Sequence, residues 1–198
     1  MNNLPKGWRF NDTPSHGYLF PSEQHNENVP EPLRRWAGGY EEDCEWSIPV
    51  CFNPELWEEE VLKHAVKSFM DWYPQEFEKY FKTEIPKGSS YIKDARTERL
   101  ENIGKFEKTA GFGDWHFGVP IGFVRATLRK VTEKDCDYKN IIGRPSGDEI
   151  DVLIPSEEYN AQRFFDPAKY QRFFPADGTD GFYTWDAYTK STGLPRFV

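Results

Sequence analysis

The sequence predicts an α+β fold in which a mostly antiparallel sheet packs against two or three helices. Segments in which apolar and polar residues alternate, as in half-buried strands, are grouped along the chain and do not interleave strictly with helical segments. Such grouping favours an antiparallel sheet over the parallel sheet of alternating folds. The length of 198 residues fits one domain with a substantial core. We therefore expect residues 1–198 to form a single globular domain.

The first part of the chain is expected to contribute two strands. Residues 17–20 (GYLF) have the composition of a short strand, and the polar, proline-rich segment 21–35 that follows is typical of a surface loop. Between positions 44 and 52 apolar residues alternate with polar ones, which predicts a strand with one buried face. Because Pro49 cannot donate a hydrogen bond to a neighbouring strand, this strand belongs at a sheet edge or carries a bulge.

Three helices are predicted in the middle of the chain. Asn53 is the expected cap of the first, with Pro54 at its first position, and the helix continues to about Tyr73, where Pro74 ends it. Its apolar stripe consists of Trp57, Val61, Leu62, Ala65, Val66, Phe69 and Met70. A short second helix is expected around residues 77–81. The third begins at 87–90 and directs Ile92, Ala95, Ile103 and Phe106 inward.

The C-terminal half predicts further strands. A turn at 111–115 precedes an alternating segment at 123–131, and residues 150–154 (IDVLI) form another apolar strand before a short helix that starts at Ser156. Asp166 is expected to cap a short helical turn. Residues 166–198 are predicted to be an irregular extension packed on the domain.

Negative charge is concentrated in one short segment. The net charge is −8, and residues 41–60 contain eight acids and no base. A field of this sign repels nucleic acid, so we expect no direct nucleic-acid contact, and it favours a partner with a basic surface. The acids at 55–60 are explained by the preference of a first helical turn for negative charge. The acids at 41–45 have no such local reason.

The expected location is the cytoplasm. No segment approaches the roughly 20 apolar residues that cross a bilayer, and the N-terminus lacks the basic start and apolar centre of a signal peptide. The cysteines, Cys44, Cys51 and Cys136, are odd in number and have no CxxC spacing. This pattern indicates reduced thiols and predicts neither a disulfide framework nor a zinc knuckle.

Four segments carry a resemblance to a known family: TPSHG at 13–17, YEEDCEW at 40–46, GDWH at 113–116 with VP at 119–120, and VLIPSEEY at 152–159. They resemble an uncharacterised domain family of bacterial mobile elements, plasmids and phages, over roughly residues 8–165. The family has no activity to carry over. The resemblance implies a protein that acts in the cytoplasm of a bacterial host, in a class whose members often counter host defence.

Candidate catalytic residues are His16, Asp43 and His116. A nucleophile at Cys44 would need one of the two histidines as its base. Against this, Cys44 lies on the apolar face of the predicted strand at 44–52, where a thiol is buried and inert. The sequence therefore assigns no catalytic residue and favours a protein that is not an enzyme.

The same region contains residue types that bind metals. They are His16, Glu41, Glu42, Asp43, Asp114 and His116. Their spacing matches no known ligand pattern, such as a histidine and a glutamate one helical turn apart. We therefore predict no metal site and no cofactor from the sequence.

The leading functional hypothesis is a non-enzymatic accessory protein of a phage or mobile element that binds a host protein and counters restriction or CRISPR defence. Its candidate binding residues are Glu41, Glu42, Asp43, Glu45 and Trp115. One alternative is a small hydrolase or metal-dependent enzyme that uses His16, Glu41, Asp43 and His116, and convergence of these side chains in one pocket would favour it. A virion or structural component is a further alternative.

Overall fold

The computed structural model describes residues 4–116 and 118–173. Contacts between residues divide the chain into two compact units, Met1–Ala95 and Arg96–Val198, which we call the first and second units. Every strand pair in both is antiparallel, and helices accompany the sheets, so the predicted α+β class is confirmed. In the described part of the chain, no helix combines the length and apolar character needed to cross a bilayer.

The first unit contains a three-stranded sheet with the order β1-β2-β3. Its strands are β1 (Arg9–Asp12), β2 (Gly17–Phe20) and β3 (Tyr40–Glu41). Its helices are α1 (Glu23–Glu27), α2 (Ser47–Cys51), α3 (Glu59–Trp72) and α4 (Pro74–Phe81), and α5 (Tyr91–Glu101) includes the division between the two units. The strand predicted at 17–20 is thus confirmed as β2.

The strand predicted at 44–52 is wrong, because residues 47–51 form α2 and all five of its residues are buried. Pro49 is the third residue of this helix, where a backbone N–H has no partner within the helix, so the proline removes no helical hydrogen bond. A short apolar run fits a buried helix as well as a strand. The alternating pattern therefore did not decide between the two.

The surface loop predicted at 21–35 also requires correction. It contains α1 and a 3-10 turn at Glu31–Leu33. The side chain of Ser22 caps α1 by accepting a hydrogen bond from the backbone N–H of His25 at 3.3 Å. A helix of five residues is too short to show helical periodicity, so composition alone indicated a loop.

Asn53 is buried, connects neighbouring segments by hydrogen bonds and does not cap α3. Its side-chain amide donates to the carbonyls of His25 (3.1 Å) and Pro49 (2.8 Å), and its oxygen accepts from the side chain of Asn28 at 2.7 Å. A 3-10 turn at Pro54–Leu56 follows, so α3 begins at Glu59 and not at Pro54. These three bonds satisfy a fully buried polar group that would otherwise destabilise the core.

The core of the first unit is centred on Phe69, which has no exposed surface. Aromatic rings from α4 and from the residues that directly follow α2 and α3 surround it edge to face, at centroid distances of 5.7 to 6.2 Å. These rings belong to Phe52, Tyr73, Phe77 and Phe81. The apolar stripe predicted for α3 therefore faces the core, although Trp57, Val61 and Val66 are only half-buried. Pro74 ends α3 as predicted and also begins α4.

The second unit contains a five-stranded sheet with the order β7-β4-β5-β6-β8. Its strands are β4 (Phe106–Phe112), β5 (Phe123–Lys130), β6 (Glu149–Pro155), β7 (Phe164–Phe165) and β8 (Gln171–Arg172), and α6 (Ser156–Ala161) follows β6. The strands predicted at 123–131 and 150–154 and the helix predicted from Ser156 are confirmed. Ile103, which was predicted to face inward, is exposed. Phe106 does pack against the core of the second unit, but it begins β4 and does not belong to a helix.

The start of the predicted C-terminal extension takes part in the sheet. The Asp166 carboxylate accepts a hydrogen bond from the backbone N–H of Ala168 at 3.1 Å, which confirms the predicted cap. Gln171 and Arg172 then pair with β6 as β8. Residues 174–198 of that predicted extension lie outside the described residues.

We expect Phe69→Ala to lower the free energy of unfolding by about 3 to 5 kcal/mol, because truncation of a fully buried ring leaves a cavity among four aromatic neighbours. Urea unfolding of the two proteins measures the difference. Lys63→Ala is the control, since Lys63 is exposed on the same helix. A loss below 1 kcal/mol for Phe69→Ala would contradict the central place of this ring.

Candidate functional site

The turn that joins β1 to β2 holds His16 in a defined backbone geometry. The hydroxyl of Thr13 donates to the carbonyl of His16 and accepts from the His16 backbone N–H at 3.0 Å. The backbone N–H of Thr13 also donates to the His16 carbonyl at 2.9 Å. The turn is therefore closed by backbone and hydroxyl, while the imidazole remains about half exposed at 52%.

Pairing between β2 and β3 brings a second turn beside this one. Tyr18 lies opposite Glu41 in the antiparallel register, and the backbone N–H of Glu42 donates to the Gly17 carbonyl at 2.9 Å. A Cβ atom at Gly17 would lie 2.3 Å from the Glu42 carboxylate and 2.2 Å from the Phe10 ring. The missing side chain at Gly17 thus allows the close approach, and segments 13–17 and 40–46 meet at one place.

Three side chains of types that can bind a metal converge where the two turns meet. One donor atom from each of His16, Glu41 and Asp43 lies within 4.8 Å of the other two, and we call these residues the His16 cluster. His16 Nδ1 is 3.4 Å from Glu41 Oε1, and Glu41 Oε2 accepts a hydrogen bond from the Asp43 backbone N–H at 2.8 Å. The structure thus brings together three of the four residues assigned to the metal-dependent alternative.

The remaining acids of this segment have different roles. Glu45 accepts hydrogen bonds from Arg35 Nε at 2.7 Å and from the Glu41 backbone N–H at 3.2 Å, so its negative charge is paired within the first unit. Burial by itself would lower the pKa of Arg35, but Glu45 and Tyr73 outweigh that effect and raise it. Glu42 and Asp43 are exposed, and within the described residues neither forms an ion pair. Of the four acids predicted to bind a partner, these two present charge to solvent.

Cys44 is only half-buried, which corrects the fully buried position expected for it on a strand. Its sulfur lies 3.4 Å from the hydroxyl of Tyr73. Burial raises the pKa of the Cys44 thiol, the Tyr73 contact opposes this, and the charges of Glu41 and Glu45 add to the increase. A thiol with a raised pKa is a poor nucleophile at neutral pH. The expected lack of reactivity therefore has an electrostatic cause in addition to burial.

His116 and Trp115 belong to the second unit and lie in the turn after β4. The imidazole of His116 packs on Phe112 at a centroid distance of 5.0 Å and on Trp115 at 5.7 Å. Trp115, a predicted binding residue, is 75% exposed. These residues form an aromatic group of their own within that unit.

The sequence did not predict several residues that hold the candidate site in place. Thr13 closes the turn before His16, and Arg35 holds Glu45. Tyr40 is fully buried on β3, and its hydroxyl donates to the Asn26 side chain at 2.7 Å. Of these residues only Thr13 could have been predicted, because a threonine three residues before the histidine in TPSHG is typical of a turn that a hydroxyl closes.

A family model described as a domain of unknown function (DUF7007) matches residues 2–103, just over half of the chain. The chain belongs to this family. The DUF7007 match includes every residue of the His16 cluster and ends before the segments at 113–120 and 152–159, whereas the resemblance was expected to reach residue 165. No curated protein and no solved structure matches the chain. An uncharacterised family was thus predicted correctly, and its description names no activity for the DUF7007 domain.

We expect the native Cys44 thiol to react slowly with a maleimide at neutral pH and faster as the pH rises, because its raised pKa leaves little thiolate. Cys51 is buried, and burial raises the pKa of its thiol to about 12, so it should react more slowly still. Mass spectrometry of peptides after timed labelling measures both rates. Labelling of native Cys44 at the rate of the unfolded chain would contradict this account.

Proposed function

We propose that this DUF7007 protein is a non-enzymatic accessory protein of a phage or mobile element and that it binds a basic surface of a host protein through Glu42 and Asp43. The observation that carries the proposal is the pair of exposed carboxylates, which form no ion pair in the described part of the chain and lie on a turn fixed by hydrogen bonds. Charges arranged in this way promote association with a surface of opposite sign and contribute to specificity.

The backbone of this turn supports the proposal because it is ordered before any partner arrives. The Glu42 N–H is bonded to the Gly17 carbonyl, and the Asp43 N–H is bonded to the Glu41 carboxylate. A partner that binds here does not have to restrict a loose loop, so less conformational entropy is lost on binding. The turn is thus better suited to binding than an equal number of carboxylates on a mobile segment.

Further negative charge in the first unit adds to the field. Glu55 and Glu58 are exposed near the start of α3, whereas Glu59 pairs with Lys63 at 2.7 Å. This charge disfavours nucleic acid as the direct partner and favours a basic protein. The bacterial host context and the counter-defence role are supported by the resemblance of residues 13–17 and 40–46 to proteins of mobile elements.

A second candidate function is a small hydrolase or metal-dependent enzyme that uses His16, Glu41 and Asp43. The observation that favours it is the convergence of His16, Glu41 and Asp43 within 4.8 Å. Imidazole and carboxylate groups together can bind an ion that activates water. Hydrolytic activity that requires a divalent ion and disappears in His16→Asn would favour this candidate over the binding protein.

We expect the double reversal Glu42→Lys with Asp43→Lys to weaken capture of the host partner at least about tenfold and to reduce the salt dependence of the remaining binding. The matched control is Glu55→Lys with Glu58→Lys, which changes the net charge equally at other exposed positions of the same unit. Quantitative mass spectrometry of proteins captured from host lysate at several salt concentrations compares the variants.

The control variant should capture the same partner as the natural protein. Equal losses in both double variants would mean that net charge, and not this turn, determines binding. Unchanged capture in both would show that the partner does not bind through these acids.

A further inference from the structure

The His16 cluster combines donor atoms in the way that metal sites of proteins do. An imidazole nitrogen and two carboxylate oxygens lie within 4.8 Å of one another, and they come from the turn between β1 and β2, from the end of β3 and from the turn after β3. Ligands around one zinc ion lie about 3.4 Å apart when the metal–ligand distance is about 2.1 Å in a tetrahedron. Since the His16 and Asp43 side chains are exposed, small rotations can close the remaining distance.

An independent observation concerns the oxygen at the centre of the cluster. Glu41 Oε1 is buried, and it accepts no hydrogen bond from any described residue. A buried carboxylate oxygen without a donor is costly, because it has lost water without gaining a replacement. The same oxygen faces His16 Nδ1 at 3.4 Å, which is within ion-pair distance but longer than a normal hydrogen bond, and a neutral imidazole would leave the charge of the oxygen unbalanced. A cation between the two turns would satisfy it.

We propose that His16, Glu41 and Asp43 bind one divalent transition-metal ion, with water in the remaining coordination positions on the exposed side. The mixture of imidazole and carboxylate fits zinc and manganese, whereas calcium and magnesium prefer sites made only of oxygen. The ion links the turn after β1 to the turn after β3. This site goes beyond the proposed binding of a host protein, since it requires no partner and no catalysis. Asp43 takes part in both proposals, so an ion in the site offsets its charge and leaves Glu42 as the acid that faces a partner.

Titration of the chelator-treated full chain with Zn²⁺, followed by isothermal calorimetry, tests the proposal directly. We expect one strong equivalent per chain, and we expect the ion to raise the midpoint of thermal unfolding because it binds the folded state. Mg²⁺ at the same concentration should produce neither effect. Metal content after dialysis gives the stoichiometry independently.

Variants assign the ligands. Asp43→Asn and His16→Asn should each weaken Zn²⁺ binding at least about tenfold, because loss of a ligand costs no less than loss of its supporting contacts. Both side chains are exposed, so the variants are expected to fold. Glu41→Gln should weaken binding as well, and its oxygen would then remain buried without a cation.

Two control variants exclude other sites. His64→Asn removes an exposed histidine that lies 3.8 Å from Glu60 on α3, which is a histidine–carboxylate pair without a third ligand. Cys44→Ser removes the half-buried thiol beside the cluster. Both controls should retain the strong equivalent of Zn²⁺.

The proposal is overturned if the natural chain takes up no strong equivalent, or if His16→Asn and Asp43→Asn bind as the natural chain does. It is also overturned if His64→Asn or Cys44→Ser abolishes binding. Because both proposals use Asp43, partner capture is also measured with a chelator present, so that no ion occupies the site. Absence of Zn²⁺ binding together with normal capture under that condition overturns the metal site and leaves the proposed host partner standing.

Discussion

The pairing of β3 with β2 is the constraint on which the candidate site depends. Neighbouring residues of a strand point to opposite faces, so the burial of Tyr40 determines that Glu41 points away from the core and toward His16. A shift of this register by one residue would exchange the two side chains, moving the tyrosine out of the core and the carboxylate into it. The hydrogen bond from the Tyr40 hydroxyl to Asn26 helps to fix this register. One buried aromatic side chain therefore positions the acids beside it.

Elements with a strong period were predictable from the sequence, and very short ones were not. β5 alternates over most of its length, β6 contains a short apolar run, and α3 carries a helical stripe, so these patterns indicated the correct structure. α1 and α2 have five residues each, less than two helical turns, and their patterns were compatible with a loop and with a strand. The same limit applies to β3, which has two residues.

The residue types of the candidate site were predictable, but their convergence was not. His16, Glu41 and Asp43 were recognised as possible ligands, yet their spacing along the chain matches no ligand pattern. They come from separate segments, namely the turn before β2 and the end of β3 with the turn that follows it. The roles of buried polar side chains could not be predicted from the sequence for a related reason. Asn53 binds the carbonyls of His25 and Pro49, and backbone carbonyls leave no trace in sequence composition. Such contacts follow from tertiary structure alone.

The turn after β1 and the turn after β3 form one site, which depends on the contact between their backbones. The most direct measurement is nuclear magnetic resonance of the backbone at Gly17 and Glu42, since the Glu42 N–H donates to the Gly17 carbonyl at 2.9 Å. If the two turns are joined in this way, hydrogen exchange at the Glu42 amide is slow and a nuclear Overhauser contact connects Glu42 with Gly17. Exchange at the rate of an unstructured chain, together with the absence of that contact, would contradict this arrangement.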